Sequence, residues 1–180
     1  MEQQAWIKGL EEKTQFFLDA ISQLNHLDDD TLNKRPAPES WSILECVEHL
    51  NRYGEFYLPA LRKGIAQSKI TTSLNFKSGW LGSYFAKSME PKEKLNKMKT
   101  FKDKNPIHSQ LDRRVIDTCL QQQQEILDLL KLSENKSLQA VRIPTTLSKW
   151  IRMNAGDTFH FIIQHNLRHL KQLERIYMSS

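Results

Sequence analysis

His165 and His169 stand four residues apart in Gln164-His165-Asn166-Leu167-Arg168-His169, and His49 lies far upstream. Residues four apart on a helix share a face, with Cβ atoms about 5–6 Å apart. Neutral imidazole is the commonest protein ligand for transition metals. Three imidazoles around an open coordination position would make a catalytic metal site. Other chemistry is scarce. The chain has no Gly-rich phosphate loop, no Cys-x-x-Cys pair and no nucleophile elbow. Glu45, one turn before His49, can act as a base or as an outer partner of the imidazole, and a helix-capping role explains it equally well. Cys46 can ligate zinc or simply pack. Tyr53, Phe56 and Gln122 are candidates for the wall of a pocket.

The histidines do chemistry only if helices bring them together. Trp6, Leu10, Phe17, Ile21 and Leu24 repeat at helical spacing over residues 2–25. Arg35-Pro36-Ala37-Pro38 then makes an extended link. Ser42 followed by Glu45 is a capping-box pattern, which opens a second helix running to about Ala66. Its stripe is Ile43, Cys46, Leu50, Tyr53, Tyr57 and Leu61, with His49 on the edge. About forty irregular residues follow, within which residues 76–85 form a short helix or a lid. A third helix is expected over 109–131, with the stripe Leu111, Val115, Cys119, Ile126, Leu129 and Leu130. The fourth runs from Asp157, capped by Asp157 or Gly156, to about Tyr177. Phe159, Ile163, Leu170, Leu173 and Tyr177 share one face of it, His165 and His169 sit on its flank, and Arg168 points to solvent. No strand is expected beyond residues 140–143. The pattern predicts an all-α, four-helix bundle with a long crossover between helices 2 and 3. Residues 1–180 form a single domain in this reading.

The pair His165 and His169 can equally be two solvated side chains or two hydrogen-bonded core histidines, and a lone His49 can be a satisfied core residue. The three together, on partly buried faces of two bundle helices, make the stronger case for a metal. His160 projects about 140° from His165 and about 180° from His169, so it cannot join them. His26 ends the first helix, where the helix dipole suffices to explain it. His108 precedes the third helix and is expected to be exposed.

Composition narrows the setting. Hydrophobic residues make up 39% and charged residues 26%, as in globular proteins in water, and 6 Gly with 6 Pro exclude collagen-like and low-complexity chains. A chain this long can bury about 70% of its unfolded surface. Cys46 and Cys119 give no disulfide framework, which predicts a reduced, cytoplasmic location. Met1-Glu2-Gln3-Gln4-Ala5-Trp6 lacks the basic start and apolar run of a signal peptide, and no apolar run spans a bilayer. The net charge is +5. Between Lys87 and Lys104 seven Lys face Glu90, Glu93 and Asp103, a local excess of +4. That stretch can serve an anionic partner or be a solvated connection. With Phe101 as its one aromatic and no Arg, it lacks the stacking and bidentate chemistry of nucleic-acid readers.

Two segments carry a family resemblance. Trp41-Ser42-Ile43-Leu44-Glu45-Cys46-Val47-Glu48-His49-Leu50 resembles the first signature of the DinB-like (YfiT-like) superfamily, a Trp-Ser helix start followed by His-Leu. His165-Asn166-Leu167-Arg168-His169-Leu170-Lys171-Gln172-Leu173 is similar to its last. Pro144-x-Thr146, Trp150-x-x-Met153, Lys97-Met98-Lys99 and Asn105-Pro106 look familial too, and the resemblance spans about residues 10–178. It implies a four-helix bundle with the same crossover and a metal site at His49, His165 and His169. It also implies a divalent ion such as zinc, nickel or manganese, and often a dimer. The activities it implies are transfer or isomerisation dependent on a low-molecular-weight thiol, or metal-dependent hydrolysis of a small-molecule substrate. The alternative is a non-catalytic helical bundle that binds a partner or small ligand.

Overall fold

The structure is a computed structural model of the 180-residue chain, and it describes residues 1–69, 71, 75–90 and 100–179, with the Lys149 side chain set aside. Four long helices carry the architecture: α1 (Gln3–Ser22), α3 (Ile43–Gln67), α5 (Arg114–Leu132) and α6 (Ala155–Met178). α3 packs on both α5 and α6, and α1 packs on the same two partners. Shorter elements fill the connections. They are α2 (Asp29–Asn33), α4 (Trp80–Met89) and the hairpin β1 (Arg142–Thr145) and β2 (Ser148–Asn154), with 3-10 turns at Gln23–His26 and Lys102–Lys104. Among the described residues no helix is long and apolar enough to cross a membrane.

The stripes read from the sequence are the core. Ile43, Cys46, Leu50, Tyr53, Tyr57 and Leu61 of α3 are all buried, as are Val115, Cys119, Ile126, Leu129 and Leu130 of α5. They fall into two apolar clusters along the bundle, one around Phe17, Ile43, Val47 and Leu173, the other around Leu10, Tyr57, Leu61 and Phe159. Along each long helix a buried polar residue falls between its two sets of apolar neighbours: Thr14, Asn51, Gln123 and Asn166. Asn166 donates to Gln123 Oε1 at 2.9 Å and Asn51 donates to the Val115 carbonyl at 2.8 Å. Such bonds hold helix register, because a slip leaves a buried polar group unpaired.

Several boundaries differ from expectation. α5 begins at Arg114 rather than near 109: the chain turns at Pro106–Ser109, and Asp112 accepts from both the Arg114 backbone N–H and its guanidinium just before the helix. α6 begins two residues early: Asn154 caps it by accepting from Asp157 N at 2.7 Å. Asp157 is freed to accept from Ser78 and from Gly79 N, which ties the start of α4 to the start of α6. α4 itself starts at Trp80, four residues later than the expected lid. Phe76, just before it, is buried and stacks on Trp6 of α1.

β1 overlaps the strand expected at residues 140–143, and its partner β2 is the element the sequence hides. Ile143 pairs with Met153, and the register breaks between Pro144 and Thr145. Trp150 of β2 is 93% exposed and Ile151 also faces out, so the strand lacks the period-2 alternation that would reveal it. Tyr177 lies on the expected face of α6 but in its terminal turn, and is exposed. Arg168 is a plain correction. It is buried, because α6 packs against α1, α3, α4 and the hairpin and leaves few positions facing solvent.

Candidate metal centre

The capping box forms as the sequence predicts. Ser42 Oγ accepts from Glu45 N, and Glu45 Oε2 accepts from Ser42 N at 2.8 Å. This fixes the start of α3 and places His49 seven residues into the turn sequence. α6, fixed by Asn154, presents His165 and His169 to the same point. His49 Nε2 is 3.3 Å from His165 Nε2, which is 3.1 Å from His169 Nε2. One ring nitrogen from each of the three lies within 4.8 Å of the others. All three residues are buried.

The surroundings assign the protons. The Lys104 carbonyl lies 2.7 Å from His49 Nδ1. A carbonyl only accepts, so Nδ1 carries the hydrogen and Nε2 presents a lone pair. Burial, with Arg52 and Lys104 adding positive charge, lowers the His49 imidazole to about 4. Burial also pushes His165 well down, helped by His169 and His49, and does the same to His169. The site is therefore three neutral imidazoles with nitrogens converging in a buried space. His165 Nδ1 is buried without a hydrogen-bond partner among the described residues. Tetrahedral ligands at zinc–nitrogen distances of about 2.0–2.1 Å stand about 3.3–3.4 Å apart. The donor set, its spacing and its neutrality fit a divalent ion.

With this geometry in place, comparison with known families decides the relationship: the family model described as the DinB superfamily matches residues 15–173. The chain belongs to the DinB superfamily. No curated protein and no solved structure matches it.

In this DinB-superfamily protein aromatic rings sheathe the three imidazoles. Trp41 lies 4.7 Å from His49 and stacks at 6.0 Å on His169, and its Nε1 donates to Asn105 Oδ1. Tyr53 sits 4.5 Å from His165, and Phe161 is nearly parallel to that ring. A cavity of about 1040 Å³ opens beside the histidines, walled by Trp41, Tyr53, Tyr57, α4 and the hairpin turn. Tyr53 is a wall residue as expected. Phe56 and Gln122 are not: Phe56 lies under the Lys104 ammonium, and Gln122 fills the space left by Gly54 and donates to the Asn51 carbonyl.

Glu45 is a structural anchor and not a base. Its carboxylate accepts from Arg35 (Nε 2.9 Å, the second nitrogen 2.6 Å), from Ser42 N and from His108 N at 2.6 Å. Burial alone would raise its pKa, but Arg35 and the backbone N–H donors outweigh burial and hold it below the usual value. Cys46 packs: its Sγ sits 3.6 Å from His169 Nδ1, and burial drives the thiol pKa far up. His160 sits apart from the trio, edge-on to Trp6, and His26 and His108 are exposed.

The sequence reading missed the outer partners. Trp41 was visible only as a helix start, although its ring is the wall of the site. The Lys104 carbonyl had no signal at all, because backbone groups carry no residue signature. Lys104 Nζ donates to the Arg52 carbonyl and Arg52 donates to the Asn105 carbonyl, so the returning crossover is fastened to α3 beside His49. Residues 91–99 of the lysine-rich stretch lie outside the described residues.

The depressed imidazoles predict a pH signature. Unfolded histidine takes up a proton below about 6.5, whereas folded His49 does so only near about 4. The stability these groups contribute is full above the unfolded value and is lost as pH falls through the folded one. Chelator-treated protein should lose Tm steadily between about pH 7 and 5, and His165→Gln should lose less. Parallel Tm curves for the two would contradict neutral buried imidazoles.

Proposed function

We propose that this protein is a metal-dependent enzyme in which His49, His165 and His169 hold a divalent ion, zinc, nickel or manganese, that activates a thiol or water. The observation that carries the reading is the convergence of three neutral, buried imidazole nitrogens at the wall of a large cavity. An ion held by His49, His165 and His169 would supply Lewis acidity for activating a thiol or water. The chain's own residues do the rest. The Lys104 carbonyl holds the His49 tautomer and ring orientation. Trp41, Tyr53 and Phe161 keep water off the imidazole faces. The cavity receives the small-molecule substrate beside them. Transfer of a low-molecular-weight thiol ranks ahead of hydrolysis, by analogy with the family. A single-domain protein acting as a homodimer in the cytoplasm belongs to the same reading; the two free cysteines support only its reducing setting.

The test is a screen of chelator-treated protein reloaded with zinc, nickel or manganese. Low-molecular-weight thiols are paired with 1-chloro-2,4-dinitrobenzene, whose chloride leaves as the thiolate sulfur bonds to carbon. Nitrophenyl esters report hydrolysis. The reading expects metal-dependent product formation at least about 100-fold above the uncatalysed rate, a modest value for positioning and nucleophile activation. Rates equal with and without metal, for both reactions, would overturn it.

A further inference from the structure

The lining of the cavity beside the histidines combines cationic with aromatic side chains. Arg168, Gln172 and Arg175 of α6 line it, with Ser179 just past the helix end, and the spacing of four and three puts the α6 residues on one helix face. Arg168 is buried next to His169, and Arg175 stands about 10 Å further along the axis at the exposed rim. Both arginines also interact with other groups of the chain. Among the described lining residues the one carboxylate is Glu39, which is 87% exposed and reaches toward His108. Apolar and aromatic side chains also line the cavity, Tyr84 and Phe85 of α4, Phe101 and Leu147 of the hairpin turn, with Ser88, Thr100 and Thr146 among them.

The geometry points to a small amphipathic carboxylate as the occupant, its anion on the Arg168–Arg175 strip and its apolar body against Tyr84, Phe85 and Phe101. This deepens the reading above and rests on it for the chemistry at the three histidines, which line the same cavity. Guanidinium is the side chain best matched to carboxylate, because its planar fork donates two parallel bonds. The strip runs toward the C-terminal end of α6, where the helix dipole is negative. That end opposes any anion, a phosphate dianion more than a carboxylate, so the attraction comes from the guanidiniums and favours the single charge. The volume exceeds what one drug-sized molecule needs, leaving room for a thiol beside it.

The experiment is calorimetric titration of zinc-loaded and of chelator-treated protein with 4-phenylbutyrate, its neutral amide and the cationic 4-phenylbutylamine. The strip predicts that the carboxylate binds at least about 10-fold more tightly than the amide in both forms of the protein, and the amine weakest. Arg175→Gln, at an exposed position that leaves folding alone, should remove most of that preference, and Arg168→Gln should remove more where it folds. Equal binding of the three probes, no binding of any, or a preference unchanged in Arg175→Gln would overturn the strip. A preference present only in zinc-loaded protein would also overturn it, because the carboxylate would then be ligating the ion, and the metal site would stand. Preference in a protein that takes up no metal would keep the strip and remove the metal reading.

Discussion

His169→Ala is expected to bind zinc more than about 100-fold more weakly than the parent chain. Loss of an outer partner alone typically costs about 10- to 100-fold, and His169 supplies one of three converging nitrogens itself. His49→Ala should behave alike, since its Nε2 faces the same point. His160→Ala is the control: it removes an imidazole from the same helix as His165 and His169, but one that lies against Trp6. The fold should survive each change, because the space vacated at His49 or His169 opens onto an existing cavity. Competition against a chromophoric chelator near neutral pH reads the affinities, and circular dichroism checks the helices. Parent-like affinity in both His49→Ala and His169→Ala would show that the ligands lie elsewhere.

Glu45→Ala should cost about 2–4 kcal/mol of folding stability, measured by urea denaturation. The change breaks a two-pronged pair with Arg35 and leaves Ser42 N and His108 N without their acceptor. Arg35 is partly exposed and can rehydrate, which keeps the figure below that of a fully buried pair. The sign of the pH dependence follows from the lowered pKa. Glu45 contributes in full above its ordinary value of 4.5, and the contribution is lost as pH falls through its folded value. The variant should therefore show a shallower acid limb. A second effect reaches the site: Glu45 anchors His108 and so the return of the crossover, whose Lys104 carbonyl orients His49. Zinc affinity should fall about 10-fold, the lower end for an outer partner. A cost below about 0.5 kcal/mol, the level of an ordinary surface change, would contradict the anchor role.

Periodicity was a reliable guide wherever one helix face met the core and the other met water. α1, α5 and α3 from Glu55 onward obey that condition, and Leu10, Tyr57 or Ile126 could be assigned to the interior from spacing alone. α6 does not obey it. It is covered on most sides, so polar residues such as Arg168, Gln164 and Asn166 are buried along with Phe159 and Ile163, and a two-face reading sends Arg168 the wrong way. Strand β2 was hidden for a related reason, since Trp150 and Ile151 face outward, whereas β1 overlaps the strand expected at 140–143. At the site, the three histidines were legible because their residue type is distinctive and the spacing of His165 and His169 fixes a common face. Their supports were not. A carbonyl from Lys104 and a ring edge from Trp41 reach His49 through tertiary folding, and neither leaves a pattern along the chain. Glu45 was legible in part: the capping box told its local role, while Arg35 and the distant His108 N needed the structure.

The most direct measurement is elemental analysis of the protein purified without an affinity tag or chelator, beside His165→Ala prepared identically. His165 is the choice because its Nε2 lies within 3.3 Å of both other imidazole nitrogens. The account predicts about one equivalent of zinc, nickel or manganese in the parent, as a single three-histidine site requires, and its loss in the variant. A parent chain that holds no metal, even after dialysis against each ion in turn, would contradict it and leave a non-catalytic bundle.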